Sequence, residues 1–305
     1  MQTIFDLLSA ALGSGQVWKD EMMKKHTTFR IGGPVDIFAA PRTEEEICQV
    51  VHICRERQVP LYIIGNGSNL LVADAGIRGV VMQLFKNYGE VTVEGTEMTA
   101  QSGILLSSLA KKALACGLTG LEFASGIPGT VGGAVVMNAG AYGGEMKDVL
   151  REVQVLTREG EILTLSADEL ELGYRTSLIA RKQYIVLQVK VQLEAGDPEQ
   201  IRQRMEELKE KRISKQPLDL PSAGSTFKRP EGYFAGKLIM DAGLRGFSCG
   251  GAEVSEKHCG FVVNKGDATA EDVRRLIQQV QQIIREKYGV TLEPEIKMVG
   301  DFDRQ

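Results

Sequence analysis

Three histidines, five cysteines and no excess of basic residues leave this 305-residue chain without the groups on which several chemistries depend. With a formal net charge of -4 it lacks the basic face on which nucleic-acid binding normally rests, so no nucleic-acid partner is expected. Cys48, Cys54, Cys116, Cys249 and Cys259 are odd in number and form no CxxC pair. That pattern suits thiols kept reduced in a cytoplasm and used as small core residues. His258-Cys259 with Cys249 is the nearest approach to a zinc set, but adjacent ligands at that spacing match no familiar pattern, so no metal is expected. No apolar run reaches the roughly 18 residues of a membrane span. Met1 to Trp18 has neither the basic start nor the long apolar centre of a secretion signal, which again points to the cytoplasm. There is no GxxxxGK[ST] loop for a nucleoside triphosphate, no GxSxG elbow for a serine hydrolase, and no internal repeat.

What the chain has is glycine in two concentrated places. Residues 126 to 144 hold seven glycines in nineteen positions and no charge. Glycine has no side chain to pack and loses the most backbone freedom on ordering. Its use in such a run is to let main-chain N–H groups approach a ligand, most often a phosphate. A second loop, Gly65-Asn66-Gly67-Ser68-Asn69, ends the apolar run Leu61-Tyr62-Ile63-Ile64. It is not a dinucleotide fingerprint: Leu70 stands where the third glycine belongs, and Leu71-Val72-Ala73-Asp74 reads as a strand, not a helix. By itself it fits either a ligand loop or a strand-to-strand turn. Two such loops suggest one large ligand carrying a pyrophosphate.

Hydrophobic content of 43% and charged content of 25% are ordinary for a globular chain of more than one domain. Helices are expected over Phe5 to Leu12, over 43 to 58 (Thr43 and Glu46 forming a capping box, Ile47, Val50, Val51 and Cys54 inward) and over Leu105 to Cys116, stopped by Gly117. Leu61 to Ile64 and Val80 to Leu84 read as buried strands. The alternating runs at 153–157, 162–165 and 185–191 read as half-buried antiparallel strands. Pro198 opens a charged helix to about Lys211. Thr269 with Asp272 caps a helix to Tyr288, with Val273, Leu276, Ile277, Val280, Ile283 and Ile284 inward, and Ile296 to Val299 is a terminal strand. The expected class is α+β, with one part at residues 1–85, a second at 86–196 and a third at 197–305.

The ordered blocks Thr28-Phe29-Arg30-Ile31-Gly32-Gly33, Gly65 to Asn69 and Gly126-Ile127-Pro128-Gly129-Thr130-Val131-Gly132-Gly133 resemble the flavin-binding half of the UDP-N-acetylenolpyruvoylglucosamine reductases. Those enzymes belong to the flavoprotein superfamily typified by vanillyl-alcohol oxidase and p-cresol methylhydroxylase. The similarity continues through Gly173-Tyr174-Arg175-Thr176-Ser177, Ala223-Gly224-Ser225-Thr226-Phe227-Lys228-Arg229-Pro230 and Leu292-Glu293-Pro294-Glu295, covering essentially the whole chain. The resemblance implies a two-lobed FAD-binding domain (1–85 and 86–196) and a smaller α+β substrate domain (197–305) whose last segment returns to the active site. It assigns FAD to Arg30, Gly65, Asn66, Gly67, Ser68, Asn69, Gly126, Ile127, Pro128, Gly129, Thr130, Val131, Gly132, Gly133, Asn138, Gly140 and Ala141. The short stretch between Arg175 and Ser225 resembles the family's type II, which lacks a substrate-covering loop. The tyrosine that type I carries on that loop has no counterpart here.

The family reaction reduces the enolpyruvyl ether of UDP-N-acetylglucosamine to the lactyl ether, with NADPH as electron donor. Hydride reaches C3, negative charge builds toward the neighbouring carboxylate, and C2 must then take a proton. A cation, a second group on the carboxylate and an acid over C2 answer those demands. By motif and chemistry they are Arg175, whose guanidinium can pair a carboxylate bidentately, Glu295 and Ser225. Strand geometry alone does not decide between Glu293 and Glu295; the family pattern selects Glu295. Lys215, Arg229 and Tyr142 are candidates for the diphosphate-bearing substrate, balanced against ordinary surface or packing roles. The NADPH preference and the identity of the sugar nucleotide rest on resemblance, and the sequence does not fix the oligomeric state, a monomer being compatible with it. Two other readings stay open: another FAD oxidase of the superfamily, acting on an alcohol with dioxygen, and a non-catalytic nucleotide-sugar-binding protein.

Overall fold

The computed structural model describes residues 1–302. They divide into two compact units, each assembled from separated stretches. The first comprises Met1–Lys19, Ile37–Asn66 and Gly79–Arg212; the second comprises Asp20–Asp36, Gly67–Arg78 and the chain from Ile213 onward. No helix among the described residues is long and apolar enough to cross a membrane.

The first unit contains two apolar cores. One is built on a sheet in which Leu61–Ile64 pairs in parallel with Val80 to Gln83, the connection running through residues 65–76 with the strand Leu70–Val72, and helix Glu44–Glu56 leads into Leu61–Ile64. That helix turns Ile47, Val50, Val51 and Cys54 inward, against Leu8 and Leu12 of helix Gln2–Leu12. Thr43 caps it by accepting the Glu46 N–H at 3.2 Å. The reciprocal half of the expected capping box is displaced: the Glu46 carboxylate accepts instead from the Arg42 N–H, at 2.6 Å.

The other core lies on an antiparallel sheet ordered Ile162–Ser166, Leu150–Leu156, Ile185–Gln192, Glu97–Gln101, Val91–Glu94. A register shift sets Gln154 opposite Gln188 but Val155 opposite Val186, so the 185–192 strand bulges at Leu187. Val186, Val189 and Val191 consequently join one core, while Ile185 and Leu187 join the other. Helix Leu106–Ala115 covers the sheet with Leu106, Leu109, Ala110 and Ala113, and Gly117 (φ 66°) follows it in the left-handed conformation typical of a helix end. The glycine segment contributes an unforeseen short helix, Val131–Val136, whose Val131, Ala134 and Val135 also face this core.

In the second unit an antiparallel sheet runs Ser222–Ser225, Phe261–Asn264, Ala252–Val254, Ser248–Cys249. Helix Ala270–Tyr288 packs on it through Val273, Leu276, Ile277, Val280 and Ile284, with the half-buried Ile283 at the margin. Thr269 and Asp272 form a reciprocal capping box, and Asp74 accepts the N–H groups of Ala270 and Glu271 at 2.8 and 3.1 Å. Lys297–Val299 pairs in parallel with Leu70–Val72. Helix Pro198–Lys215 extends one turn beyond the expected Lys211, so Lys215 is its last residue.

Candidate active site

In the first unit the two glycine loops meet. Gly65 follows strand Leu61–Ile64, and a Cβ there would lie 2.2 Å from Thr130 Oγ1, so only glycine permits the approach. The Asn66 side-chain amide donates to the Pro128 carbonyl at 2.6 Å. Thr130 caps the short helix by accepting the Gly133 N–H, and Val131 and Gly132 donate to Ile104 and Ser102 carbonyls. The main-chain N–H groups of Gly126, Gly129, Thr130 and Asn66 have no acceptor among the described residues of this unit. Donors left unused at loops where glycine clears the approach have the chemistry to meet an anion such as a phosphate. Val131, Gly132 and Gly133 instead spend their N–H groups on protein.

Nine described residues other than glycine have positive φ, and four of them are candidates: Arg30, Asn138, Tyr142 and Arg175. Such conformations cost energy and persist where the surroundings enforce them, commonly at functional sites. The surroundings are visible here. Gly140–Ala141 pairs with Gly144–Glu145 around a two-residue turn in which Tyr142 (φ 54°) and Gly143 (φ 92°) are both left-handed, leaving the Tyr142 ring exposed at the tip. Asn138 spends its side chain on protein: its amide donates to Glu145 at 2.9 Å and to the Gly173 carbonyl at 3.3 Å, and its oxygen accepts the Lys147 N–H at 3.0 Å. Gly173 and Thr176 exchange backbone hydrogen bonds around Tyr174 and Arg175. Ser177 closes that turn, donating to the Val136 carbonyl at 2.7 Å and accepting the Ala180 N–H. Arg175 is thus half-buried on a turn pinned to the glycine segment at two points.

Arg212 was not among the expected site residues, since it lies within a helix that is charged nearly all round. Its Cδ would be 3.0 Å from a Cβ on Gly126, placing it against the second glycine loop. Burial holds its guanidinium below the ordinary value, with the Tyr142 phenol opposing that shift. A desolvated cation beside a row of free N–H groups suits an anion.

In the second unit Ser225 ends its strand opposite Phe261, half-buried, just after Gly224 (φ 78°). Its hydroxyl has no hydrogen bond among the described residues. Thr226 joins three segments: its N–H donates to the Gly260 carbonyl, its hydroxyl accepts the Val262 N–H, and its carbonyl accepts the Glu295 N–H at 2.8 Å. Pro294 bridges Phe227 across this contact, and Asn69 donates to the Glu295 carbonyl at 3.2 Å. The terminal segment therefore sets Glu295 one residue from Ser225 across a strand-like pairing. The neighbouring glutamates are sorted by the same geometry: Glu295 is buried, whereas Glu293 is exposed and paired with Lys228 at 3.0 Å.

Arg30 is exposed on a turn whose Thr28 hydroxyl donates to the Ser222 carbonyl, tying the turn to the Ser225 strand. Ser68 and Asn69 follow the buried Gly67, where a Cβ would lie 2.1 Å from the His26 carbonyl oxygen. Lys215 is exposed, and its charge, added to burial, lowers the His258 imidazole below its usual range. His258 Nδ1 accepts the Gly260 N–H at 3.0 Å. Arg229 is exposed with its guanidinium 4.1 Å from the centre of the Phe234 ring.

Comparison with known proteins adds names to this geometry. Residues 35–166 match the FAD-binding domain model, and residues 216–299 match the model described as UDP-N-acetylenolpyruvoylglucosamine reductase, C-terminal domain. A UDP-N-acetylenolpyruvoylglucosamine reductase of Caldanaerobacter subterraneus subsp. tengcongensis is 53% identical over 300 residues, 98% of this chain and 99% of the relative. The chain belongs to the UDP-N-acetylenolpyruvoylglucosamine reductase family. The family enzyme of Agathobacter rectalis is 53% identical over 99% of both chains. The crystal structure of the Thermus caldophilus enzyme superposes with a TM-score of 0.80 at 37% identity, over 92% of this chain and 97% of that one. The α+β fold with a flavin-binding part and a family-specific C-terminal domain is therefore the one the sequence led us to expect.

Proposed function

We propose that this chain is a cytoplasmic, NADPH-dependent FAD enzyme that reduces the enolpyruvyl ether of UDP-N-acetylglucosamine to UDP-N-acetylmuramate for peptidoglycan synthesis. Full-length relatives bear that name, and the pairing of Glu295 with the residue next to Ser225 is the observation that carries the reading onto this chain's own residues. Residues 1–85 and 86–196 hold the flavin, and residues 197–305 hold the substrate. The segment between Arg175 and Ser225 is taken up by helix Leu178–Lys182, strand Ile185–Gln192 and helix Pro198–Lys215, which supports type II.

When bound, FAD would supply hydride chemistry, with NADPH as the electron source. The chain supplies the rest. The N–H groups of the two glycine loops, with Arg212 beside them, neutralise the flavin diphosphate. Arg30, Ser68, Asn69, Gly140 and Ala141 belong to the flavin set. Arg175 pairs with the substrate carboxylate as negative charge grows there, and does so more strongly in the transition state than in the ground state. Glu295 shares a proton with that carboxylate and limits its repulsion. The Ser225 hydroxyl delivers a proton to C2. A serine is a weak acid in water, but a carbanion-like centre is basic enough to take its proton. Lys215, Arg229 and Tyr142 meet the sugar nucleotide.

The test is the absorption spectrum of the purified protein, followed by anaerobic mixing. Flavin bands that bleach with NADPH and return when the enolpyruvyl sugar nucleotide is added are the expected result. A protein that binds no flavin after FAD is supplied contradicts the reading and leaves a nucleotide-binding module. Rapid reoxidation by dioxygen without a response to the sugar nucleotide would instead favour an oxidase.

A further inference from the structure

Phe234, 60% exposed, and its neighbour Tyr233, 47% exposed, are large aromatic residues open to solvent. The backbone beneath them is fixed. Tyr233 N–H donates to the Pro230 carbonyl in a turn through Gly232 (φ 74°), and the Phe234 carbonyl accepts from Lys237 and Leu238 at the start of helix Ala235–Asp241. The Arg229 guanidinium lies over the Phe234 ring, 4.1 Å from its centre, a cation–π contact that favours one placement of the ring. Glycine contacts connect this ring to the reaction residues. A Cβ on Gly236 would be 3.1 Å from Gly260 N and 3.2 Å from His258 Cε1, and the Gly260 carbonyl accepts the N–H of Thr226, next to Ser225.

We infer that Phe234 is a stacking platform for the uracil base of the sugar nucleotide, with Arg229 on the opposite face of the ring. The inference rests on the proposed function, which supplies a substrate that carries a planar base at one end of a diphosphate. Both parts find matching chemistry in the second unit: an exposed aromatic ring for the base, and the exposed Lys215 cation for the phosphates. A fixed, exposed phenyl ring offers a base a large contact at little entropic cost.

The test titrates the FAD-loaded protein with UDP and, separately, with inorganic pyrophosphate. Phe234→Ala is expected to weaken UDP binding about tenfold and pyrophosphate binding by much less, and Phe234→Trp to restore UDP binding. Equal UDP affinity in Phe234→Ala and the unaltered protein overturns the stacking role. So does a dimer that dissociates in Phe234→Ala, which would assign the ring to contact with a second copy. Substrate turnover by the unaltered protein separates the two claims: if turnover is present and UDP affinity is insensitive to Phe234, only this inference fails.

Discussion

Asn66 donates to the carbonyl of Pro128 at 2.6 Å, clamping one glycine loop to the other. The contact joins positions 62 residues apart, and Gly65 makes it sterically accessible by lying against Thr130. The pair holds Asn66 against the loop that carries the unbonded N–H groups of Gly126, Gly129 and Thr130.

Loosening that clamp should weaken flavin binding. Asn66→Ala removes one hydrogen bond worth about 1 kcal/mol, so FAD affinity should fall about fivefold. Gly65→Ala forces a methyl group toward Thr130 and should cost more than tenfold. Fluorescence titration of the flavin-free protein checks both, and equal affinity in all three proteins contradicts the assignment.

Arg175 sits at φ 56° on a turn held by Ser177 and Asn138. Arg175→Lys keeps the charge but loses the bidentate fork, and should slow substrate reduction by about 10- to 100-fold with flavin reduction by NADPH little changed. Ser177→Ala removes both a helix cap and the bond to Val136, and should cost about 1–2 kcal/mol in denaturant unfolding.

Two glutamates two residues apart should behave differently. Glu293→Gln breaks an exposed ion pair worth about 0–1 kcal/mol and should leave turnover within about twofold. Glu295→Gln preserves shape and removes the charge from a buried carboxyl, and should slow substrate reduction by at least about 100-fold. Steady-state rates for the two variants decide the assignment; equal rates remove Glu295 from the mechanism.

These contrasts also show what the sequence could and could not reveal. Helices Glu44–Glu56 and Ala270–Tyr288 were legible because their caps and apolar stripes are local signals. The glycine loops stood out because they carry so little side chain, although the 65–69 loop by itself fitted a strand-to-strand turn as well as a ligand loop. The helix within the second loop was not legible, since Gly132 and Gly133 are poor helix formers and form it only because Thr130 caps it and its valines face a core. Arg212 was hidden because no period distinguishes it from Arg202 and Arg204 along a helix that is charged nearly all round; only Gly126 packing against it does. Glu295 was chosen over Glu293 on the family pattern alone; the difference in burial between the two follows a pairing of Phe227 with Pro294, residues far apart in sequence.

Acid should weaken the second unit at the start of its long helix. Arg274 and Arg275 hold the Glu271 carboxylate at about 2. Burial pushes Asp272 up, but hydrogen bonds from the Thr269 and Gly251 N–H groups hold it below its ordinary value. Both groups bind protons less readily folded than unfolded, so their stabilisation is present above the unfolded range near pH 4 and is lost as pH falls toward 2. Unfolding midpoints should be flat above about pH 5 and fall below it, less steeply in Glu271→Gln. An identical slope in the variant contradicts the assignment.

If Ser225 supplies the proton that completes reduction, stopped-flow separation of the two half-reactions in Ser225→Ala will set them apart. Flavin reduction by NADPH should keep nearly the unaltered rate, with reoxidation by the enolpyruvyl sugar nucleotide slowed by about 10²- to 10⁴-fold or more. Unimpaired reoxidation, or equal slowing of both half-reactions, would contradict it.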